Sequence, residues 1–167
     1  RGVVELIEPL TRSLVYPPVL VATETSAKMI MIHNVGSAPT WIDQPMVEGR
    51  AGTTPAEISL DPGPVVFPYA LIPGDSLTLL VKLRPGRVGP VEGIVRMRDT
   101  SGAWGDSVRL FGQGSLPGLR LLLPRVEFGD LHLGDSADQE IYVDNIGDIP
   151  LTFTGTTLVD SLHFKLV

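Results

Sequence analysis

The phrase that decides the fold of this 167-residue chain is Ile141-Tyr142-Val143-Asp144-Asn145-Ile146-Gly147-Asp148-Ile149-Pro150-Leu151. It joins a strand-like run to an Asn-x-Gly turn and to a Pro that leads into further apolar residues. The same phrase occurs earlier, at residues 30–40, and the two align without a gap at an offset of 111 residues. A recurrence at this period predicts two copies of one domain of about 100 residues.

The two phrases are identical at four positions: Ile30 corresponds to Ile141, and the other three are turn residues. Asn34, Gly36 and Pro39 of the first phrase correspond to Asn145, Gly147 and Pro150 of the second. Asn, Gly and Pro are the residues that form turns, each for its own conformational reason. We expect these six residues to be structural determinants of the reversal between two early strands.

Composition and alternation predict an all-β protein. Fifteen Pro and eighteen Gly interrupt the chain at short intervals, as many short strands joined by turns require. The alternation is clearest in 77–83, where Leu77, Leu79, Val81 and Leu83 form one face. The predicted fold is an immunoglobulin-like β-sandwich: one complete domain at 1–114, a linker at 115–118, and at 119–167 the N-terminal part of a second, incomplete domain.

Several strand bounds follow from the same patterns. Pro9, Pro17 and Pro18 restrict the strands predicted at 3–7 and 13–16 to edge positions, because Pro cannot donate to a ladder. The runs 40–47 and 57–60 are each predicted to be one strand, and 99–106 to be a turn. In the second copy, strands are expected at 119–123, 126–128 and 140–145.

Charge and residue usage exclude several classes of function. The formal net charge is −6 and the basic residues are isolated, so we expect no nucleic-acid partner. No apolar run approaches the roughly 18 residues of a membrane span, so we expect no membrane insertion within this chain. The chain has no Cys, which fits a cytosolic protein or a bacterial exported one.

Two patterns resemble catalytic or metal-binding sites. Gly74-Asp75-Ser76-Leu77 spells the nucleophile block of GDSL-type esterases, and Asp160 and His163 have the Asp-x-x-His spacing of those enzymes. Ser76, however, precedes an alternating strand rather than a helix, so we predict no catalytic residues. The three His residues lack metal-ligand spacing, and Asp130, Asp135, Asp138 and Asp148 are interpreted as turn residues, with calcium as the alternative. We predict no metal and no cofactor.

Two segments are candidates for partner contacts. Trp104 lies between Gly102 and Gly105, and an aromatic residue at a loop tip is a candidate partner contact. The incomplete second copy is interpreted first as part of a longer protein and second as a site for strand exchange. Val3, Val4, Leu6 and Ile7 form a candidate strand-exchange segment that would complete the second copy in a neighbouring subunit.

The order of these motifs resembles a known family. Residues 128–134 (Phe-Gly-Asp-Leu-His-Leu-Gly) followed by the 141–151 phrase resemble the start of ASH-type domains, which are immunoglobulin-like modules related to the major sperm protein fold. Residues 71–85 resemble the strand of that family that follows a Pro-Gly turn, and 108–114 resemble its last strand, which ends in Gly-x-Gly. The first copy departs from the pattern, with Tyr16-Pro17-Pro18 in place of Phe-Gly. Such domains occur in hydin-like ciliary and centrosomal proteins and in bacterial choice-of-anchor surface proteins.

The resemblance implies a non-enzymatic structural or interaction module of a tandem-repeat surface or scaffold protein. Its partners would be other proteins or copies of itself, and its location a bacterial cell surface or, alternatively, the cytoskeleton or cilium. One alternative is a subunit of a self-assembling filament completed by strand exchange. Another is a carbohydrate-binding or enzyme-associated accessory domain, for which Trp104 would supply the aromatic contact.

Overall fold

The computed structural model describes residues 7–101, 104–157, 159 and 162–165. The chain divides into two compact units, Arg1–Leu116 and Pro117–Val167. The predicted linker, 115–118, spans this division, and Ser115 is buried at the end of the last strand of the first unit.

The described residues of the first unit contain ten strands and one short helix. In chain order these are β1 (Ile7–Pro9), β2 (Ser13–Leu20), β3 (Lys28–Asn34), β4 (Thr40–Ile42), β5 (Met46–Arg50), a 3-10 helix (Pro55–Glu57), β6 (Ile58–Asp61), β7 (Tyr69–Leu71), β8 (Ser76–Leu83), β9 (Gly89–Arg98) and β10 (Trp104–Ser115). Sheet A has the order β1-β3-β8-β6, and sheet B the order β2-β10-β9-β5. All these pairs are antiparallel except β2 with β10, which is parallel.

The core forms where the alternating apolar faces of the two sheets meet. Sheet A contributes Ile30 and Ile32 from β3 and all four alternating residues of β8, and sheet B contributes residues that include Val95, Met97 and Leu110. The face predicted for 77–83 is therefore confirmed in β8. Two mostly antiparallel sheets packed over one such core constitute an immunoglobulin-like β-sandwich, as predicted.

The N-terminal segment changes sheets. It lies at one edge of sheet A as β1 and then at one edge of sheet B as β2. The register of β2 against β10 shifts between Phe111 and Gln113, opposite Val15 and Pro18. An irregularity at an edge strand is where Pro17 and Pro18 can be accommodated, since neither has an N–H to donate. The edge position predicted for 13–16 is confirmed. Of the strand predicted at 3–7 only Ile7 lies within the described residues, and it begins the edge strand β1.

Three local predictions are wrong. The run 40–47 forms two strands, because residues 43–45 are not in a strand. Strand β4 pairs with β7, and β5 pairs with β9. The segment predicted as a strand from residue 57 begins with the 3-10 helix, whose first turn is closed by the capping box of Thr54 and Glu57. The predicted turn 99–106 is shorter, since β10 begins at Trp104.

The second unit has one strand pair in its described part. Strand β11 (Leu119–Leu121) pairs antiparallel with β12 (Val143–Asn145), so both are shorter than predicted, and the strand predicted at 126–128 does not form. No described residue of this unit is buried.

Candidate interaction surface

The reversal after β3 is organised by the Asn34 side chain. Its Nδ2 donates to Ala38 O at 2.9 Å and to Leu71 O at 2.7 Å, and its Oδ1 accepts from Gly36 N at 2.9 Å. Asn34 is 1% exposed, so these bonds satisfy an amide that would otherwise be costly to bury. The side chain thus fixes both the turn and the position of the segment that carries Leu71.

The reversal after β12 repeats two of these three bonds. Asn145 Nδ2 donates to Ile149 O at 2.8 Å, and Gly147 N donates to Asn145 Oδ1 at 3.0 Å. Ile149 and Gly147 hold the positions that Ala38 and Gly36 hold in the first phrase. Within the described residues, no acceptor is found for the second Nδ2 hydrogen of Asn145, the one that corresponds to the bond from Asn34 to Leu71.

The two strand pairs also share one register. Asn34 lies opposite Ile7 in the pair of β1 with β3, and Asn145 lies opposite Leu119 in the pair of β11 with β12. The next main-chain bond is the same in both: Leu10 N to Met31 O at 2.9 Å, and Leu122 N to Tyr142 O at 3.1 Å. The pair β11–β12 is therefore the structural counterpart of β1–β3.

The counterparts differ in what lies on their other side. Strand β3 is bonded to β8, with Asn34 N donating to Asp75 O at 3.1 Å and Gly74 N donating to Asn34 O at 3.0 Å. In the described part of the second unit, β12 pairs only with β11. Residues of an antiparallel strand point their N–H and C=O groups alternately to the two sides. The main-chain groups of Tyr142 and Ile146 form hydrogen bonds with Leu122 and Gly118, on the side of β11. The N–H and C=O groups of Val143 and Asn145 therefore point to the opposite side of β12.

Apolar side chains accompany this open edge. Leu119 and Val143 are 50% and 37% exposed, whereas their counterparts Ile7 and Ile32 are 8% and 0% exposed. Burying such a side chain fully contributes about 1.5–3 kcal/mol. An unpaired strand edge next to exposed apolar side chains is a surface suited to a polypeptide partner. We call Val143, Asp144 and Asn145 with this free side the β12 edge.

A polar row crosses the outer face of sheet A. Glu8, His33 and Ser76 lie side by side on β1, β3 and β8, and His33 Nδ1 is 2.9 Å from Ser76 Oγ. The corresponding row of the second unit is Arg120 and Asp144, whose Nη2 and Oδ2 are 2.9 Å apart. Ser76 is the serine of the esterase-like block, but it starts a strand on an open sheet face. Sequence reasoning missed its contact with His33, which the register of β3 against β8 creates.

The second unit also contains a cavity of about 540 Å³. Its lining includes Phe128 and Phe164, whose ring centroids are 5.9 Å apart, and the polar residues Asp135, Asp138 and His163. Among the residues that the structure describes, no group of three or more His, Asp or Glu side chains is placed to hold a metal ion. Asp160 lies outside the described residues.

The predicted contact residues belong to the first unit. The backbone of Trp104 pairs with Arg98, and its side chain is outside the described part of the structure. Val3, Val4 and Leu6 are also outside the described residues, while Ile7 is paired in β1 and buried. No helix in the described ranges has the length and apolar character needed to cross a bilayer.

The outer face of sheet B presents a different, charged surface. Arg96 Nε and Glu48 Oε1 are 2.8 Å apart, and Arg98 Nε and Asp43 Oδ2 are 3.2 Å apart. Such exposed pairs contribute little to stability because water and salt screen them. Arg109 lies on the same face, beside a shallow cavity of about 460 Å³.

Comparisons with known proteins give similarities to solved structures only. Neither a protein-family model nor a curated protein sequence matches the chain. A family 123 glycoside hydrolase from Clostridium perfringens matches 62% of this chain at 9% identity with a TM-score of 0.48, and this chain spans only 23% of that protein. The ASH/PapD-like domain 7 of human CEP192 matches 65% of this chain and 84% of its own length, at 15% identity and a TM-score of 0.45. The Caenorhabditis elegans major sperm protein family member WR4 matches 65% of this chain and 97% of its own length, at 11% identity and a TM-score of 0.41.

Proposed function

We propose that this chain is a non-enzymatic structural and interaction module of a tandem-repeat scaffold or surface protein. It acts by holding protein partners, and strand addition at the β12 edge is the mode of binding that the experiment below tests. The observation that carries the proposal is the repetition of one strand register and one Asn-centred turn in the two units, at β1–β3 and at β11–β12. Main-chain bonds to an open edge supply affinity, and alternate side chains supply specificity.

The contact between His33 and Ser76 gives little support to a catalytic function. A serine nucleophile needs a base and a set of donors for the oxyanion, in a site that excludes water. The contact between His33 and Ser76 is exposed on the face of sheet A. It is one member of a row of cross-strand polar contacts, and the second unit fills the corresponding row with an ion pair. A structural role accounts for both rows.

A second candidate function is a filament subunit in which copies of the chain exchange strands. It uses the same β12 edge, with residues 3–7 of a neighbouring copy as the donor. The cysteine-free composition fits a bacterial cell surface and equally the cytoskeleton or cilium. Light scattering separates the two functions: a filament subunit grows in mass with concentration, whereas an adaptor for other polypeptides does not.

Strand uptake is tested with labelled 13-residue peptides of alternating apolar and polar residues, using fluorescence anisotropy and the full chain. Val143→Pro removes the N–H that faces the open edge and should abolish binding. Leu121→Pro is the matched control, because the N–H of Leu121 faces away from β12 and the corresponding residue of β1 is Pro9. Binding that is absent in the wild type, or equal in Val143→Pro, would contradict the proposal.

A further inference from the structure

We infer that the surface around Trp41 binds a neutral glycan, with a pyranose ring stacked on the indole and its hydroxyls bound by Asp43 and Arg98. This is a further binding activity, and it does not rest on the proposed function or on the β12 edge. Trp41 is the middle residue of β4 and is 53% exposed, whereas Thr40 and Ile42 on either side of it are 2% and 0% exposed. The alternation of the strand therefore directs the indole to solvent.

The backbone under Trp41 is held from both sides. Trp41 lies opposite Ala70 in the pair of β4 with β7, and an isolated bridge joins Ile42 to Asp99 on the other side. On that side Trp41 O accepts a hydrogen bond from Thr100 N at 3.1 Å. A side chain on a strand that is bonded to two neighbours is positioned before a ligand arrives, so binding has to order little of the protein.

The neighbours of Trp41 across the strands are small. Ala70 lies beside it on β7, and the register of the bridge places Thr100 beside it on the other side. Cross-strand neighbours lie about 5 Å apart, so bulky residues in these two places would cover the ring. The offset of 111 residues that aligns the two repeated phrases gives Trp41 the counterpart Thr152, so the indole is not part of the repeated pattern. A large exposed apolar group that is bordered by polar residues and has no role in the core is typical of a binding site.

An ion pair borders the indole. Asp43 follows Trp41 by two residues, the spacing that places side chains on one face of an extended chain. Asp43 Oδ2 is 3.2 Å from Arg98 Nε, and Asp43 N donates to Arg98 O at 3.1 Å. A carboxylate only accepts hydrogen bonds and a guanidinium only donates them, and each has more positions for them than one ion pair uses. Neighbouring hydroxyls of a sugar both donate and accept, so an acceptor and a donor held side by side match a vicinal diol.

The same features select the class of ligand. A pyranose ring with equatorial hydroxyls has apolar C–H faces and a polar rim, which matches an indole bordered by polar groups. Because Asp43 and Arg98 neutralise each other, an acidic glycan gains no net attraction there. A proline-rich peptide would cover the indole, but its ring nitrogens carry no hydrogen to donate to Asp43. A neutral glycan uses both parts of the surface.

The test titrates the full chain with cellohexaose and xylohexaose by isothermal calorimetry, with an oligogalacturonate of the same length and a polyproline peptide as comparisons. We expect the two neutral hexasaccharides to bind and the other two ligands to bind at least tenfold more weakly. Trp41→Ala should weaken glycan binding at least tenfold, and Trp41→Phe, which keeps a smaller flat ring, about threefold. Asp43→Asn should weaken it about fivefold, the effect of one hydrogen bond.

Two control variants should leave glycan binding unchanged. Phe111→Ala removes another exposed aromatic ring of the first unit, on the outer face of sheet B, and Val143→Pro changes the β12 edge. Thermal unfolding of each variant shows that it is folded at the temperature of the titration.

Each other outcome would overturn the inference. If neither neutral hexasaccharide binds, or if both bind Trp41→Ala as tightly as the wild type, Trp41 is not a glycan site. If the oligogalacturonate binds more tightly than the neutral glycans, the ligand is an anion. If the polyproline peptide binds more tightly and Trp41→Ala abolishes this, the occupant is a polypeptide. None of these results affects strand uptake, which is measured separately with the alternating peptide and Val143→Pro.

Discussion

Tyr16 Oη donates a 2.7 Å hydrogen bond to Val81 O, which joins the edge strand β2 of sheet B to the central strand β8 of sheet A. Tyr16 is buried, and Lys28 Nζ lies 5.4 Å from the centre of its ring. The bond crosses the core at the strand where Pro17 and Pro18 interrupt the ladder. Tyr16 therefore stabilises the position of β2, whose backbone pairing with β10 is interrupted.

Tyr16→Phe should remove this bond at almost constant volume and lower the free energy of unfolding by about 1 kcal/mol at pH 7. Burial raises the pKa of Tyr16 to about 12. Because the unfolded state releases this proton nearer to pH 10, the wild type should lose stability as the pH rises from 10 toward 12. Urea denaturation at several pH values measures both effects. The account fails if Tyr16→Phe shows the same alkaline loss as the wild type.

Glu57 connects the 3-10 helix to the turn between β8 and β9. Its carboxylate accepts from Gly86 N and from Thr54 N, each at 2.7 Å, and the bond from Gly86 is the main reason that the pKa of Glu57 is lowered. This contribution is present above the ordinary pKa of Glu and is lost as the pH falls through the lowered one. Glu57→Gln should cost about 1 kcal/mol at pH 7, and the difference from wild type should shrink in acid. A constant difference at all pH values would argue against the carboxylate bonds.

Asn34 and Asn145 offer a matched pair of substitutions. Asn34→Ala leaves two buried carbonyls and one N–H without their partner and should cost about 3 kcal/mol. Asn145→Ala affects an exposed turn and should cost less than about 1 kcal/mol. Urea denaturation followed by far-UV circular dichroism reports on the strands of both units. Equal losses in the two variants would refute the assignment of distinct environments.

The contact between His33 and Ser76 should have no hydrolytic consequence. We expect Ser76→Ala and His33→Ala to hydrolyse p-nitrophenyl acetate at the wild-type rate and to unfold within about 1 kcal/mol of wild type. The control is the wild type treated with a serine-directed phosphonate, which would inactivate a serine nucleophile. A wild-type rate that exceeds both variants and is abolished by the phosphonate would show that the chain is an esterase.

Much of the architecture could be predicted because it depends on local patterns. The alternation of 77–83 placed Leu77 and Leu79 in the core, and the Pro residues placed β1 and β2 at edges. The break in 40–47 was missed although Pro45 signals it, because the flanking apolar residues continue the strand pattern. Strand β7 was missed because its three residues are too few to show an alternation of apolar and polar side chains. It is defined only by its pairing with β4.

The candidate site was harder to predict, since it depends on register between distant segments. A turn was predicted at the phrase containing Asn145 and its hydrogen bonds form one, although no described strand follows it. The bond from Asn34 to Leu71 joins residues 37 apart and leaves no mark in the sequence. The same applies to the row of Glu8, His33 and Ser76. The sequence indicated Gly112 and Gly114 only as the end of a strand. In the structure both positions are too close to their neighbours for a side chain, since a Cβ at Gly112 would lie 2.7 Å from Leu83 Cδ1 and one at Gly114 would lie 2.7 Å from Pro85 Cβ.

Hydrogen exchange at the amides of Val143 and Asn145 tests the central claim most directly. Ile32 and Asn34, their counterparts in the first unit, provide the internal reference, because both face β8. In the full chain alone, we expect Val143 and Asn145 to exchange far faster than Ile32 and Asn34, and the alternating 13-residue peptide should slow the first two without affecting the others. Protection of Val143 and Asn145 without the peptide, or rapid exchange at a saturating concentration of it, would contradict the account.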